Sequence, residues 1–197
     1  MDRHIPVGAP ADLYISEALD NRPPGKIDHR GEGRAIQELA FRMSDDPESV
    51  LPLFVDLAIQ ITGAASAGLS LYEDDGADGV FRWRHLRGTL SPFENATTPR
   101  NFSPCGITLD RNAPVLTSHP ERVYDWIVEA GVVAPEVLLV PMAGARGEPI
   151  GTLWVVAEQE GLFNRDHARL LDELARCVSA ALQARGAEPA SRAHCVA

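Results

Sequence analysis

The chain has 197 residues, a formal net charge of −10, 45% hydrophobic residues and 23% charged residues. That length suits a single hydrophobic core, since domains run to about 100–200 residues, and the composition is that of a folded body rather than a disordered chain. The acidic balance argues against a nucleic-acid partner, because phosphate binding relies on clustered Lys and Arg.

The basic run of Arg82, Arg84, His85 and Arg87 alternates along an apparent strand and reads as one solvated face. No cationic stretch followed by an apolar run opens the chain, and no apolar run reaches the roughly 18 residues of a membrane helix. A cytoplasmic protein without membrane association is therefore expected. The three cysteines, Cys105, Cys177 and Cys195, are odd in number and widely spaced, so they suggest no disulfide framework and fit a reducing compartment. Nothing brings four thiolate or imidazole ligands into short spacing, and no dedicated metal site is expected.

In chain order, residues 1–44 read as an N-terminal extension. Pro6, Pro10, Pro23, Pro24 and Gly25 interrupt it, Leu13, Ile15, Ala18 and Leu19 offer a short helix, and residues 32–43 offer a second. A stronger helix follows, with Asp46 as N-cap, Pro47 in its first turn and Glu48 at the positive end of its dipole. Val50, Leu51, Phe54, Leu57, Ala58 and Ile61 form its apolar stripe, and Gly63 ends it. Residues 67–72 and 80–86 then predict an antiparallel hairpin around Asp74, Asp75, Gly76 and Gly79. On its second strand, Phe81, Trp83 and His85 share one face and Arg82 and Arg84 the other, with the aromatic face inward.

Residues 88–107, with Pro92, Pro99 and Pro104, are long for a structureless connection and read as a functional loop or one with short helical turns. Residues 113–118 predict a short strand, and residues 121–130 a short helix behind Pro120. A second hairpin pairs residues 137–141 with 150–157. Both segments are continuously apolar, which predicts central strands buried on both faces. The last helix starts at Asn164 as N-cap, carries Leu170, Leu171, Leu174, Val178, Ala181 and Leu182 in one stripe, and ends near Gly186. Residues 185–197 read as a flexible tail.

This order of elements resembles the GAF domain of bacterial sensor histidine kinases and related signalling proteins. Two stretches carry the resemblance, TPRNFSPCGITLDRNAPVLTSHPE and VLLVPMAGARGEPIGTLWVVAEQEGLFNRDHARLLDELARCVSAAL. The second holds a strand ending in Pro141, a turn, then Pro149, Ile150, Gly151, Thr152 and Leu153, with Phe163 and Asp166 before the last helix. The resemblance spans residues 45–184. It implies a mixed α/β fold with a central antiparallel sheet of about five or six strands, terminal helices on one face and pocket elements on the other. It also implies sensing of a small molecule in signal transduction, through helix-mediated homodimerisation or a signalling partner in trans. The ligand stays open, because GAF domains take cyclic nucleotides, bilins, haem, small metabolites or nothing.

The candidate pocket residues are Phe81, Trp83, His85, Arg100, Phe102, Cys105, Thr108, Ser118, His119 and Trp126, with Phe93, Tyr124 and Trp154 as further aromatics. Each aromatic has plain core packing as its competing reading, and each histidine an ordinary hydrogen-bonded role. Cys105 reads either as a small buried residue in a tight turn or as a reactive thiol, for which a cation such as Arg100 or His119 would lower its pKa. Free methionine-(R)-sulfoxide reductases resemble GAF domains and place Val-Cys-Gly where this chain has Pro104, Cys105 and Gly106. Their resolving thiols have no counterpart near Cys105, so a thiol enzyme is the alternative and not the expectation. Phytochrome-like attachment of a tetrapyrrole uses a Cys followed by His, whereas Cys105 precedes Gly106. A non-covalent tetrapyrrole or small metabolite remains, with His85 and His119 as contacts. A third reading is a ligand-free interaction module whose pocket Trp83 and Trp154 fill.

Overall fold

Alternation along the strands sorts the apolar side chains into two layers, and helices cover one of them. The computed structural model describes residues 12–24, 29–43, 47–76, 78–144 and 146–186; the cap expected at Asp46 and the tail beyond Gly186 lie outside these. The helices are α1 (Ala18–Asn21), α2 (His29–Met43), α3 (Pro47–Thr62), α4 (Pro104–Arg111), α5 (Asp125–Glu129) and α6 (Arg165–Gly186). The strands are β1 (Ser66–Glu73), β2 (Val80–Gly88), β3 (Thr97–Pro99), β4 (Val115–Ser118), β5 (Glu136–Ala143) and β6 (Pro149–Ala157). They form one six-stranded sheet in the order β3-β2-β1-β6-β5-β4, every neighbour antiparallel. The mixed α/β architecture is the one the resemblance implies.

Along β5 and β6 the layers alternate residue by residue. Leu138, Val140, Leu153 and Val155 join α3 and α6 in the larger core, while Val137, Leu139, Trp154 and Val156 face the other way. Continuous apolarity therefore reports a strand buried on both faces. Gly63, at φ 68°, ends α3 in the left-handed region that glycine tolerates. Asn164 caps α6, its Oδ1 accepting from the amides of Asp166 (3.0 Å) and His167 (3.2 Å). Among the described residues no helix is long and apolar enough to cross a membrane.

Three segments differ from expectation. The first helix is confined to α1, and Leu13 and Tyr14 run extended beside β4 instead. The Ser118 amide donates to the Leu13 carbonyl (3.0 Å) and the Ile15 amide to the Leu116 carbonyl (2.9 Å), while the Leu116 amide donates to Ser16 Oγ (3.1 Å). An edge strand offers a row of unpaired backbone groups, and this strap satisfies them. Residues 121–130 are not one helix but a 3₁₀ turn, Pro120–Arg122, followed by α5. Tyr124 breaks the run by adopting an extended backbone that carries its ring wholly inside. Residues 88–107 hold a sixth strand besides helical turns: β3 pairs with β2, and Ser103 caps α4 by accepting from the Gly106 amide (3.2 Å). Pro99 is tolerated because β3 lies at the sheet edge.

Candidate functional site

The site is built on a flaw in the β1–β2 ladder. Leu69 pairs with Arg84 and Ala67 with Arg87, so His85 and Leu86 both stand opposite Gly68. His85 takes φ 57° at this bulge. One extra residue inverts strand parity, and Leu86, rather than His85, joins the second layer. The His85 and Leu86 amides donate to the Glu94 carboxylate at 2.9 and 2.8 Å, anchoring the loop that carries Leu90 and Phe93.

Between that loop, the second face of the sheet, the start of α4 and α5 lies a cavity of about 170 Å³. The chain has 3 tryptophans, and Trp83, Trp126 and Trp154 all line this cavity. The Trp83 ring centroid lies 5.3 Å from Trp154, 6.0 Å from Trp126 and 6.4 Å from Phe93. Two indoles are held by their N–H groups: Trp154 Nε1 donates to Ser70 Oγ (3.1 Å) and Trp126 Nε1 to the Phe102 carbonyl (3.0 Å). Behind α5, Leu13 of the strap packs with Tyr124 and Ile127, and the Tyr14 and Tyr124 hydroxyls hydrogen-bond to each other.

Cys105 opens the first turn of α4 and also lines the cavity. Its thiol donates to Ser70 Oγ at 3.4 Å. Burial pushes the thiol up from its ordinary pKa, and the Ser70 hydrogen bond and the charge of Arg100 oppose this only in part. A buried, protonated thiol is a poor nucleophile. Iodoacetamide at neutral pH is therefore expected to label the exposed Cys177 in the folded protein and Cys105 only after unfolding. Peptide mass mapping checks this, and equal labelling of both would show that Cys105 is reactive.

Of the ten candidates, Trp83, Cys105 and Trp126 line the cavity. The other seven sit elsewhere, for local reasons. Phe81 is in the same apolar layer but packs edge-on against Tyr72 at 6.1 Å, and the bulge re-aims His85. Arg100 is tied to Asp110 at 2.5 Å. Phe102 packs against Tyr124 at 5.1 Å and so supports Trp126 from behind. The Thr108 hydroxyl donates back to the Pro104 carbonyl (2.9 Å), as the helix geometry of α4 favours. Ser118 Oγ donates to Glu160 (2.7 Å), and His119 Nδ1 lies 2.7 Å from Glu121. The polar anchors expected of the pocket thus have partners outside it. In their place Leu90, Val137, Leu139 and Val156 complete the wall. The unbroken apolar runs of β5 and β6 conceal which alternate residues face the cavity.

The residues present do not fit a tetrapyrrole. The cavity falls below the roughly 300–1,000 Å³ of sites for larger ligands, and neither His85 nor His119 is among its lining residues. Among the described residues no group of three or more His, Cys, Asp or Glu could hold a metal ion.

One antiparallel sheet with α3 and α6 on one face and a cavity beside α4 and α5 on the other defines an α/β domain built around a pocket. A profile of the GAF domain matches residues 44–183, and the chain belongs to that family. No curated protein matches it. Three solved bacterial structures illustrate the shared fold. The GAF domain of a phosphoenolpyruvate-protein phosphotransferase from Coxiella burnetii is 17% identical, aligns over 82% of this chain and 99% of its own, and gives a TM-score of 0.67. The free methionine-R-sulfoxide reductase of Neisseria meningitidis, solved with its substrate, is 18% identical over 82% of this chain and 95% of its own, with a TM-score of 0.64. The GAF-B domain of DevS from Mycobacterium smegmatis is 17% identical over 72% and 96%, with a TM-score of 0.58. At these identities the likeness is one of fold.

Proposed function

We propose that this chain is a signal-input domain that senses a small molecule held in the cavity and acts as a homodimer or on a signalling partner in trans, in the cytoplasm. The observation that carries this reading is the concentration of all the tryptophans around one cavity. Indole side chains that only fill a core pack against each other and leave little space, whereas here they wall about 170 Å³. The domain proposed to do this spans residues 45–184, with the extension of residues 1–44 before it. Coupling to a partner would run through the helical layer of α2, α3 and α6.

A thiol enzyme centred on Cys105 draws less support. Its sulfur is buried and hydrogen-bonded, and Cys177 lies exposed on α6, whose apolar face packs on the opposite layer of the sheet. Native mass spectrometry of the purified chain, set beside the denatured chain, tests the sensor reading. A mass excess that disappears on denaturation, and is missing from a cavity-filling Ala130→Phe variant, is the expected result. Bare protein under both conditions would instead favour a ligand-free interaction module, and an excess that survives denaturation on Cys105 would favour thiol chemistry. The same native spectrum reports monomer against dimer.

A further inference from the structure

Resting on the sensor reading of the cavity, we infer that its occupant is a neutral, single-ring aromatic molecule. Size comes first. A cavity of about 150 Å³ lined by apolar side chains stays dry and takes benzene; this one is about 170 Å³. It therefore has room for one ring with a small substituent.

Charge comes second. Among the described residues no Asp, Glu, Lys, Arg or His side chain lines the cavity. Arg100, which precedes α4, is paired with Asp110 through Nη2 and is not among the lining residues. A charged ligand would lose its hydration without gaining a partner, which is the costliest form of polar burial. A cation would be attracted by the indole faces, but with no carboxylate in the wall to neutralise it.

Ring chemistry comes third. Trp83, Trp126, Trp154 and Phe93 meet in edge-on or tilted pairs with centroids 5.3–6.4 Å apart. Offset and edge-to-face pairings stabilise aromatic contacts beyond simple area burial, and a further ring extends the same pattern. Three of the wall's few polar side-chain groups are engaged, Cys105 with Ser70, Trp154 with Ser70 and Trp126 with Phe102, while the Trp83 indole N–H and the Thr98 hydroxyl are buried without a partner and could answer one or two hydrogen bonds from the ring's substituent. A ligand with many hydrogen-bonding groups would find few to answer them.

The test uses the full chain with toluene and benzyl alcohol as neutral probes, and benzoate and benzylammonium as charged counterparts of the same size. Calorimetry measures affinity, and tryptophan emission reports from the cavity wall itself. The expected result is binding of the neutral probes at least about tenfold tighter than the charged ones, in line with the penalty for unpaired burial. Ala130→Phe and, separately, Ala96→Phe should each lower toluene affinity by about tenfold or more through lost volume. Both positions are only partly buried, and circular dichroism verifies that each variant folds. Charged probes binding as tightly as toluene, with binding still lost in the filled variants, would overturn the ligand class and leave the sensor cavity standing. Toluene binding that neither filled variant changes would place the ligand elsewhere and overturn both. Absence of binding by either neutral probe would overturn the class, while the native mass comparison would decide the sensor reading independently.

Discussion

Replacing Arg22 by alanine is expected to cost about 3 kcal/mol of folding stability, the lower end of the range for breaking a buried ion pair. Glu136 is fully buried at the start of β5. Its two carboxylate oxygens accept from Arg22 at 3.0 and 2.7 Å, and they also accept from the Gly161 amide (2.9 Å) and the Phe163 amide (3.0 Å). Arg22 Nη1 further donates to the Phe163 carbonyl at 2.6 Å. One guanidinium thus joins the end of α1 to β5 and to the chain entering α6. The alanine variant leaves a buried carboxylate with only its two backbone donors, which keeps the cost below the maximum. At about 2–4 °C per kcal/mol for a chain of this size, the melting temperature should fall by roughly 6–12 °C. Arg22→Lys should lie between, because an ammonium cannot reproduce the two parallel bonds. Thermal and urea unfolding measure this. A loss below about 1 kcal/mol would mean that the pair behaves like a surface salt bridge.

Gly68→Ala is expected both to destabilise the domain and to close the cavity. Gly68 pairs across the ladder with Trp154. A Cβ there would lie 2.5 Å from Trp154 Cζ2, 2.9 Å from Cη2 and 3.2 Å from Leu86 Cγ. The indole rests on the bare backbone of β1, so a methyl group lifts it off the sheet toward the space it lines. Overpacking of this kind costs about 1–3 kcal/mol, and toluene affinity should fall by about tenfold with a shift in tryptophan emission. Trp154→Phe removes the colliding atoms. In a double-mutant cycle the pair should therefore lose less than the two single changes added together. Unchanged melting temperature and unchanged affinity in Gly68→Ala would refute this account of the wall.

The sequence showed its strongest elements through periodicity and caps. Asn164, the stripe from Leu170 to Leu182 and the paired apolar runs around residues 144–149 marked α6, β5 and β6, and those elements form. What escaped were features decided by a neighbour rather than by local pattern. Leu13 and Tyr14 sit next to helix formers, but the open edge of β4 draws them into extended backbone. A helix over residues 121–130 yields to the burial of Tyr124. At the site, the composition of the wall was legible in Trp83, Cys105 and Trp126. The polar anchors were not: Thr108, Ser118 and His119 are satisfied by partners that only the fold brings near. His85 was misplaced for one reason, since a single inserted residue reverses which side of β2 points inward.

The strap over β4 also bears on how copies of this chain can meet. At the opposite edge, β3 is three residues long and ends in Pro99, which has no amide to donate. With β4 covered at one end and β3 short and proline-capped at the other, the sheet has, among the described residues, no long free edge on which a foreign strand could add. Growth by strand addition, the route from a soluble sheet to a fibre, is blocked at both ends. A chain trimmed to the family-matched residues 44–183 would lose the strap, bare the backbone of β4 and reopen that route. Residues outside the family-matched span thus cover a sheet edge that belongs to the domain itself.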